Sequence, residues 1–202
     1  MPKKRKVKNS VSWVLALIIG IVLGYAGNQL DVLDFPDNHP KPVIKKEADP
    51  ILIGASEVNT CFTPPAGCGI VIANLISKAQ DSIYVQAYGF TSGEIAKALI
   101  NAHNRGVKVR VLLDKSNIGS KHSKMRDIRK AGIEVSIDKV SGIAHNKVII
   151  IDKQKVITGS FNFTRSADSR NAENVIIIND KSVANEYLQN WLKRKLKSES
   201  SR

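Results

Sequence analysis

His145-Asn146-Lys147-Val148-Ile149-Ile150-Ile151-Asp152-Lys153-Gln154-Lys155-Val156-Ile157-Thr158-Gly159-Ser160-Phe161-Asn162-Phe163 is the stretch on which the reading of this chain turns. Lys147 to Ile151 and Lys155 to Thr158 are two short runs rich in Ile and Val. They flank the turn Asp152-Lys153-Gln154, a pattern that predicts a β-hairpin. A strand with no polar interruption is buried on both faces, so helices must cover this hairpin from either side.

The surrounding sequence alternates between strand and helix signals. Upstream, Glu57 to Thr63, Ser82 to Tyr88, Val107 to Leu113 and Ile133 to Ile137 read as strands. Between them, Ile70 to Ala79 places Val71, Ile72, Leu75, Ile76 and Ala79 on one helical face. A second helix opens at Ser92 or Gly93 and closes at Gly106, and a third runs from Met125 to Ala131. Lys115 to Lys124 is a basic loop between them. Downstream, Asn174 to Ile178 is another buried strand. Val183, Tyr187, Leu188, Trp191, Leu192 and Leu196 form the apolar stripe of a final helix, with a frayed basic tail after Lys193. Aromatic residues make up only 5% of the chain, so the core rests on Ile, Val, Leu and Ala. The expected fold class is α/β: a mixed β-sheet flanked by helices on both faces, one domain per chain.

The chemistry sits at the two ends of the hairpin. His145 and Lys147 are two residues apart and point to the same face of a strand. An imidazole beside an ammonium suits a phosphate: one attacks phosphorus while the other neutralises oxygen charge. Ser160 and Asn162 repeat that spacing with a hydroxyl and an amide, and Gly159 leaves room for close approach. Asp152 lies five residues beyond Lys147, where alternation does not bring it to His145. It is grouped with the catalytic set in a supporting role, through a hydrogen bond or ion pair. Asn171 and Glu173 precede the next strand, and a carboxylate there is available to hold an imidazole in one tautomer. Lys121 and Lys124 are candidate substrate contacts, because their loop has the composition to track a nucleic-acid backbone. His39, His103 and His122 have no comparable setting and read as surface residues.

His-x-Lys-x4-Asp followed by Gly-Ser-x-Asn-Phe resembles the signature of the phospholipase D superfamily. From about Ile51 to Trp191 the chain is similar to its small, single-motif bacterial members, the Nuc-type endonucleases. The resemblance implies a homodimer, because one motif supplies half a site and an isologous interface brings two copies together. It implies a phosphohistidine formed by one His145, with the other His145 as acid and then base. Both Lys147 side chains, Ser160 and Asn162 would stabilise charge, and Glu173 would orient His145. No metal or other cofactor is implied, since cationic side chains take that role.

The front of the chain is expected to lie outside this fold. Residues 1–7, Met-Pro-Lys-Lys-Arg-Lys-Val, resemble the nuclear localisation signal of polyomavirus large T antigen and read as an appended tag that would direct the chain to a nucleus. Residues 8–30 read as a signal anchor or signal peptide: no charged residue occurs from Asn9 to Leu30. Flanking charges place the N-terminus in the cytoplasm and the rest across the membrane, so the native protein is expected to be periplasmic or inner-membrane-anchored. Residues 31–50, with Pro36, Pro40, Pro42 and Pro50, are a linker, and the catalytic domain occupies 51–202. Cys61 and Cys68 flank Phe-Thr-Pro-Pro-Ala-Gly, which can turn back on itself. A disulfide and two free thiols are both open, and ligand spacing for zinc is missing.

Of the net charge of +13, four positives (Lys3, Lys4, Arg5, Lys6) belong to the tag, and the positive excess that remains favours polyanionic partners, either nucleic acid or anionic phospholipid. Three functions follow. One is a nuclease acting on DNA and possibly RNA. Another is a lipid phosphodiesterase acting on cardiolipin or another phospholipid, for which the membrane segment speaks. The third is a non-catalytic scaffold, against which the intact His145, Lys147, Ser160 and Asn162 speak.

Overall fold

The computed structural model describes residues 58–200, and the tag, the apolar segment, the linker and residues 51–57 lie outside the described residues. Seven strands alternate with helices: β1 (Val58–Thr63), α1 (Cys68–Ser77), β2 (Ser82–Ala87), α2 (Gly93–Asn104), β3 (Lys108–Asp114), α3 (Met125–Lys130), β4 (Glu134–Asp138), β5 (Lys147–Ile151), β6 (Lys155–Gly159), α4 (Arg165–Ser169), β7 (Glu173–Asn179) and α5 (Lys181–Ser200). They form one sheet in the order β1-β7-β6-β5-β2-β3-β4. β2, β3 and β4 run parallel, and every other pairing is antiparallel. The sheet is therefore mixed, as expected.

Alternation along the central strands divides the core into two. Ile83, Val85, Ile149, Ile151 and Ile157 face one side, under Ile72 and Ile76 of α1, Ile95 and Leu99 of α2 and Ile128 of α3. Tyr84, Leu112, Val148, Ile150 and Val156 face the other side, under Ala184, Leu188 and Trp191 of α5. Trp191 is fixed in direction as well as depth: its ring packs edge-on against Tyr84, and its Nε1–H donates to the Val85 carbonyl at 2.9 Å. A buried indole N–H without such an acceptor would be costly.

Three features depart from the sequence reading. The tail after Lys193 is not frayed: α5 continues to Ser200, with Arg194 bonded to the buried carboxylate of Asp138 and Ser198 to the Ile137 carbonyl. Leu196 does not join the apolar stripe and is 64% exposed. The stretch between β6 and β7 holds the short helix α4, capped by the Thr164 hydroxyl accepting from Ala167 N–H. Of the two states open to the cysteines, the structure has the bridge. Cys61 on β1 and Cys68 at the start of α1 are joined, with their Cα atoms 5.8 Å apart. Among the described residues, no helix is long and apolar enough to cross a membrane.

Candidate active site

The register gathers the motif residues at one end of the sheet. Lys147 opposes Ala87, Gly159 opposes Val175, and Glu173 opposes Thr63. The C-terminal ends of β1, β2, β3 and β6 thus meet the N-terminal ends of β5 and β7. In sheets of this kind the crevice beyond the carboxyl ends of parallel strands is where ligands bind.

The main chain around His145 is pinned on both sides. Ala144 N–H donates to the Asp114 carboxylate at 2.7 Å, and Tyr88 N–H donates to the Asn146 carbonyl at 2.9 Å. Burial alone would raise the Asp114 carboxyl, but the N–H groups of Ser116 and Ala144 outweigh it and hold the carboxyl below its ordinary value. The imidazole itself is exposed and packs edge-on against Tyr88, with ring centroids 4.8 Å apart. It makes no hydrogen bond among the described residues. A rigid backbone therefore presents a ring whose nitrogens are uncommitted.

Lys147 lies inward of it, only 6% exposed. Its ammonium donates to the His145 carbonyl at 2.9 Å and sits 5.5 Å from the centre of the Tyr88 ring. His145 and Lys147 thus meet around one aromatic side chain, as their spacing predicts. Burial pushes the Lys147 pKa down, and the nearby Glu173 carboxylate pulls it back only in part. Glu173 accepts from the Ser160 hydroxyl at 2.5 Å and from Asn171 Nδ2 at 2.8 Å. Its hydrogen bonds in this structure go to Ser160 and Asn171 and not to His145, the ring it was expected to orient.

Glycines let the pieces close up. A Cβ on Gly159, whose φ is +143°, would lie 2.3 Å from the Asn174 carbonyl oxygen, so only glycine fits there. Gly89, next to Tyr88, lies under Thr164 and Asn162: a Cβ there would meet Thr164 Cγ2 at 3.0 Å and Asn162 Oδ1 at 3.4 Å. That Oδ1 is buried without a hydrogen-bond partner, an uncommon condition in a folded chain.

Asp152 is not part of the site. It sits at the opposite end of β5, about 17 Å from Lys147 at strand rise. Its carboxylate accepts from the main-chain N–H groups of Gln80, Asp81 and Ser82, the last two at 2.8 and 3.0 Å. These bonds hold the entry into β2. Lys121 and Lys124 line a separate basic cavity beside the site, where Lys124 pairs with Asp127 at 3.0 Å. Tyr88 and Asp114 escaped the sequence reading. Nothing local marks them, because their roles arise from register with Lys147 and from a contact across 30 residues. Among the described residues, no group of three or more His, Cys, Asp and Glu side chains is placed to hold a metal ion.

Comparison with known proteins agrees with this geometry. The family model described as "Cardiolipin synthase, PLD-like domain" matches residues 72–195. A phospholipase D of Rickettsia conorii is 54% identical over 196 residues, covering 95% of this chain and 98% of its own. A mitochondrial cardiolipin hydrolase of Xenopus tropicalis is 34% identical, over 58% of this chain and 56% of its own. Among solved structures, the phospholipase D family member Nuc of Salmonella typhimurium superposes with a TM-score of 0.65 at 36% identity, covering 68% of this chain and 92% of its own.

Proposed function

Because the chain belongs to the phospholipase D superfamily and is a phosphodiesterase, we propose that its substrate is the nucleic-acid backbone and that it acts as a homodimer without a metal. Imidazole Nε2 of one His145 attacks phosphorus. The P–O bond to the leaving sugar breaks, and the imidazolium of His145 in a second protomer gives that oxygen its proton. The second imidazole then takes a proton from water, the hydroxide attacks phosphorus, and the P–N bond breaks to regenerate the first histidine. An imidazole can both give and take a proton, so the same side chain serves as acid in one step and as base in the other. Lys147 and Asn162 stabilise the charge that builds on the phosphate oxygens, with Ser160 once its hydroxyl is released from Glu173.

One observation carries the reading: an exposed imidazole on a pinned main chain, beside a buried ammonium, with no hydrogen bond inside its own protomer. Such a ring is prepared for partners from outside. Exposed Ile118 and Ile143 lie on loops tethered to Asp114 at the rim of the site, and they suit a self-complementary interface. Nucleic acid is favoured by the net charge and by the likeness to Nuc. The Cys61–Cys68 bridge fits an oxidising compartment, reached through the apolar segment.

A lipid substrate is the second reading. It draws on the cardiolipin hydrolase likeness and on the apolar segment of residues 9–30. The test is incubation of the full chain with plasmid, single-stranded DNA, RNA and cardiolipin vesicles, each with and without EDTA. Cleavage of nucleic acid that survives EDTA and disappears in His145→Ala is the expected result. Release of phosphatidic acid with nucleic acid left intact would move the assignment to lipid, and abolition by EDTA would end the metal-free mechanism.

A further inference from the structure

Beside the site lies a cavity of about 560 Å³ that the chemistry above does not use. Lys121, Lys124, Arg126, Lys130 and Arg165 line it, with Asp127 as the one carboxylate. Asp127 is already engaged by Lys124 at 3.0 Å, so the other four cations face the opening without a carboxylate of their own in the cavity. They come from three segments: the loop before α3, α3 itself, and the start of α4. An ordinary solvated helix face would not converge in this way.

The cavity is tied to the site by main-chain and side-chain bonds. Thr91 N–H and Ser92 N–H both donate to the Phe163 carbonyl at 2.9 Å, and Lys124 N–H donates to the Phe90 carbonyl at 2.9 Å. The Ser123 hydroxyl donates to Asn117 Oδ1 at 2.8 Å. Asn117 Nδ2 in turn donates to the carbonyl of Tyr88, the residue whose ring holds His145, at 2.7 Å. Along the chain, Arg165 is three residues from Asn162, a span of at most about 10 Å. That keeps the cavity within a few nucleotides of the site along one strand.

Resting on the nucleic-acid reading, we infer that this cavity binds a second phosphate of the same strand, a few nucleotides from the bond that is cut. The enzyme then grips a polymer at two points, and a substrate with one phosphodiester uses only the first. Point charges on flexible stems, with two guanidinium forks among them, suit backbone phosphates without base preference.

The experiment measures binding by the full chain carrying His145→Asn, with Arg126→Ala/Lys130→Ala added. Both residues are exposed, and Arg126→Lys serves as the charge-retaining variant. Lys155→Ala/Lys181→Ala removes the same charge at the opposite end of the sheet and is the control. For single-stranded DNA of about 20 nucleotides, the pocket variant should weaken binding about ten-fold or more relative to the control. Its salt slope should fall by about 1.4, at about 0.7 per lost contact. Arg126→Lys should retain binding, and a dinucleotide should show no difference between variant and control. Equal losses for dinucleotide and oligonucleotide, or a loss no larger than in the control, would overturn the inference. So would a loss confined to cardiolipin vesicles. The two readings fail separately: an unaltered chain that never cuts DNA or RNA sinks the function, whereas absence of the length-dependent pattern sinks the second site.

Discussion

The Ser160 hydroxyl donates to Glu173 at 2.5 Å while accepting from the main-chain N–H of Asn174 at 3.1 Å. A substrate phosphate must compete with that carboxylate for the hydroxyl proton. Replacing the serine removes a hydrogen bond to a charged group, worth about 1.5–3 kcal/mol when made. Ser160→Ala should therefore lower kcat/KM by about 10- to 100-fold, with an unchanged circular dichroism spectrum. Wild-type kinetics in that variant would remove Ser160 from the charge-stabilising set.

If Lys147 stabilises charge as proposed, it should set an alkaline limit to the reaction. Burial lowers its pKa and Glu173 raises it in part, leaving it below the ordinary lysine value of 10.5. The ammonium is thus lost before a free lysine would lose it, and kcat/KM should fall in that earlier range. Glu173→Gln removes the opposing carboxylate, so the alkaline limb should move to lower pH still. The stability sign runs the other way. Between the folded and unfolded pKa the unfolded chain holds the extra proton, so folding stability rises with pH there. A limb that stays in place in Glu173→Gln would dissociate the two residues.

Asp152 separates scaffold from chemistry. Asp152→Ala leaves the N–H groups of Gln80, Asp81 and Ser82 to water, at a cost of about 1–2 kcal/mol. The urea midpoint should drop accordingly, while kcat per folded molecule stays within about three-fold of wild type. A collapse of kcat comparable to that of His145→Ala would return this carboxylate to the catalytic set.

The C-terminal helix is held by charge as well as by Trp191. Asp138 is 1% exposed and is bonded by Arg194 and by Gln86 Nε2, the latter at 3.0 Å. Arg194→Ala strands a buried carboxylate and should cost about 3–5 kcal/mol. Asp138→Asn in the same chain should recover much of it, since a neutral amide needs no counter-charge. A double-mutant cycle with no coupling would show the pair to be incidental.

What could be read from the sequence was whatever depends on spacing. The two-residue offset of His145 and Lys147 and the unbroken Val148-Ile149-Ile150-Ile151 run stated their own geometry. Gly159 announced a close approach that the Asn174 carbonyl then explained. What could not be read depends on partners far along the chain. The basic tail looked solvated because Asp138, its main anchor, lies 56 residues away. Tyr88 looked like the end of a strand until register placed it under His145 and Lys147. The motif suggested that Glu173 serves the imidazole, yet in the folded chain it engages Ser160 and Asn171.

The Cys61–Cys68 bridge closes two residues before Thr63, whose hydroxyl donates to the carbonyls of Ala167 and Asn171 at 3.0 Å each. Thiol reagents added to a purification buffer would thus act on the edge strand that braces the approach to Glu173. Samples prepared with and without dithiothreitol are, for this molecule, two different reagents, and a laboratory comparing specific activities between them would be comparing two states of that brace.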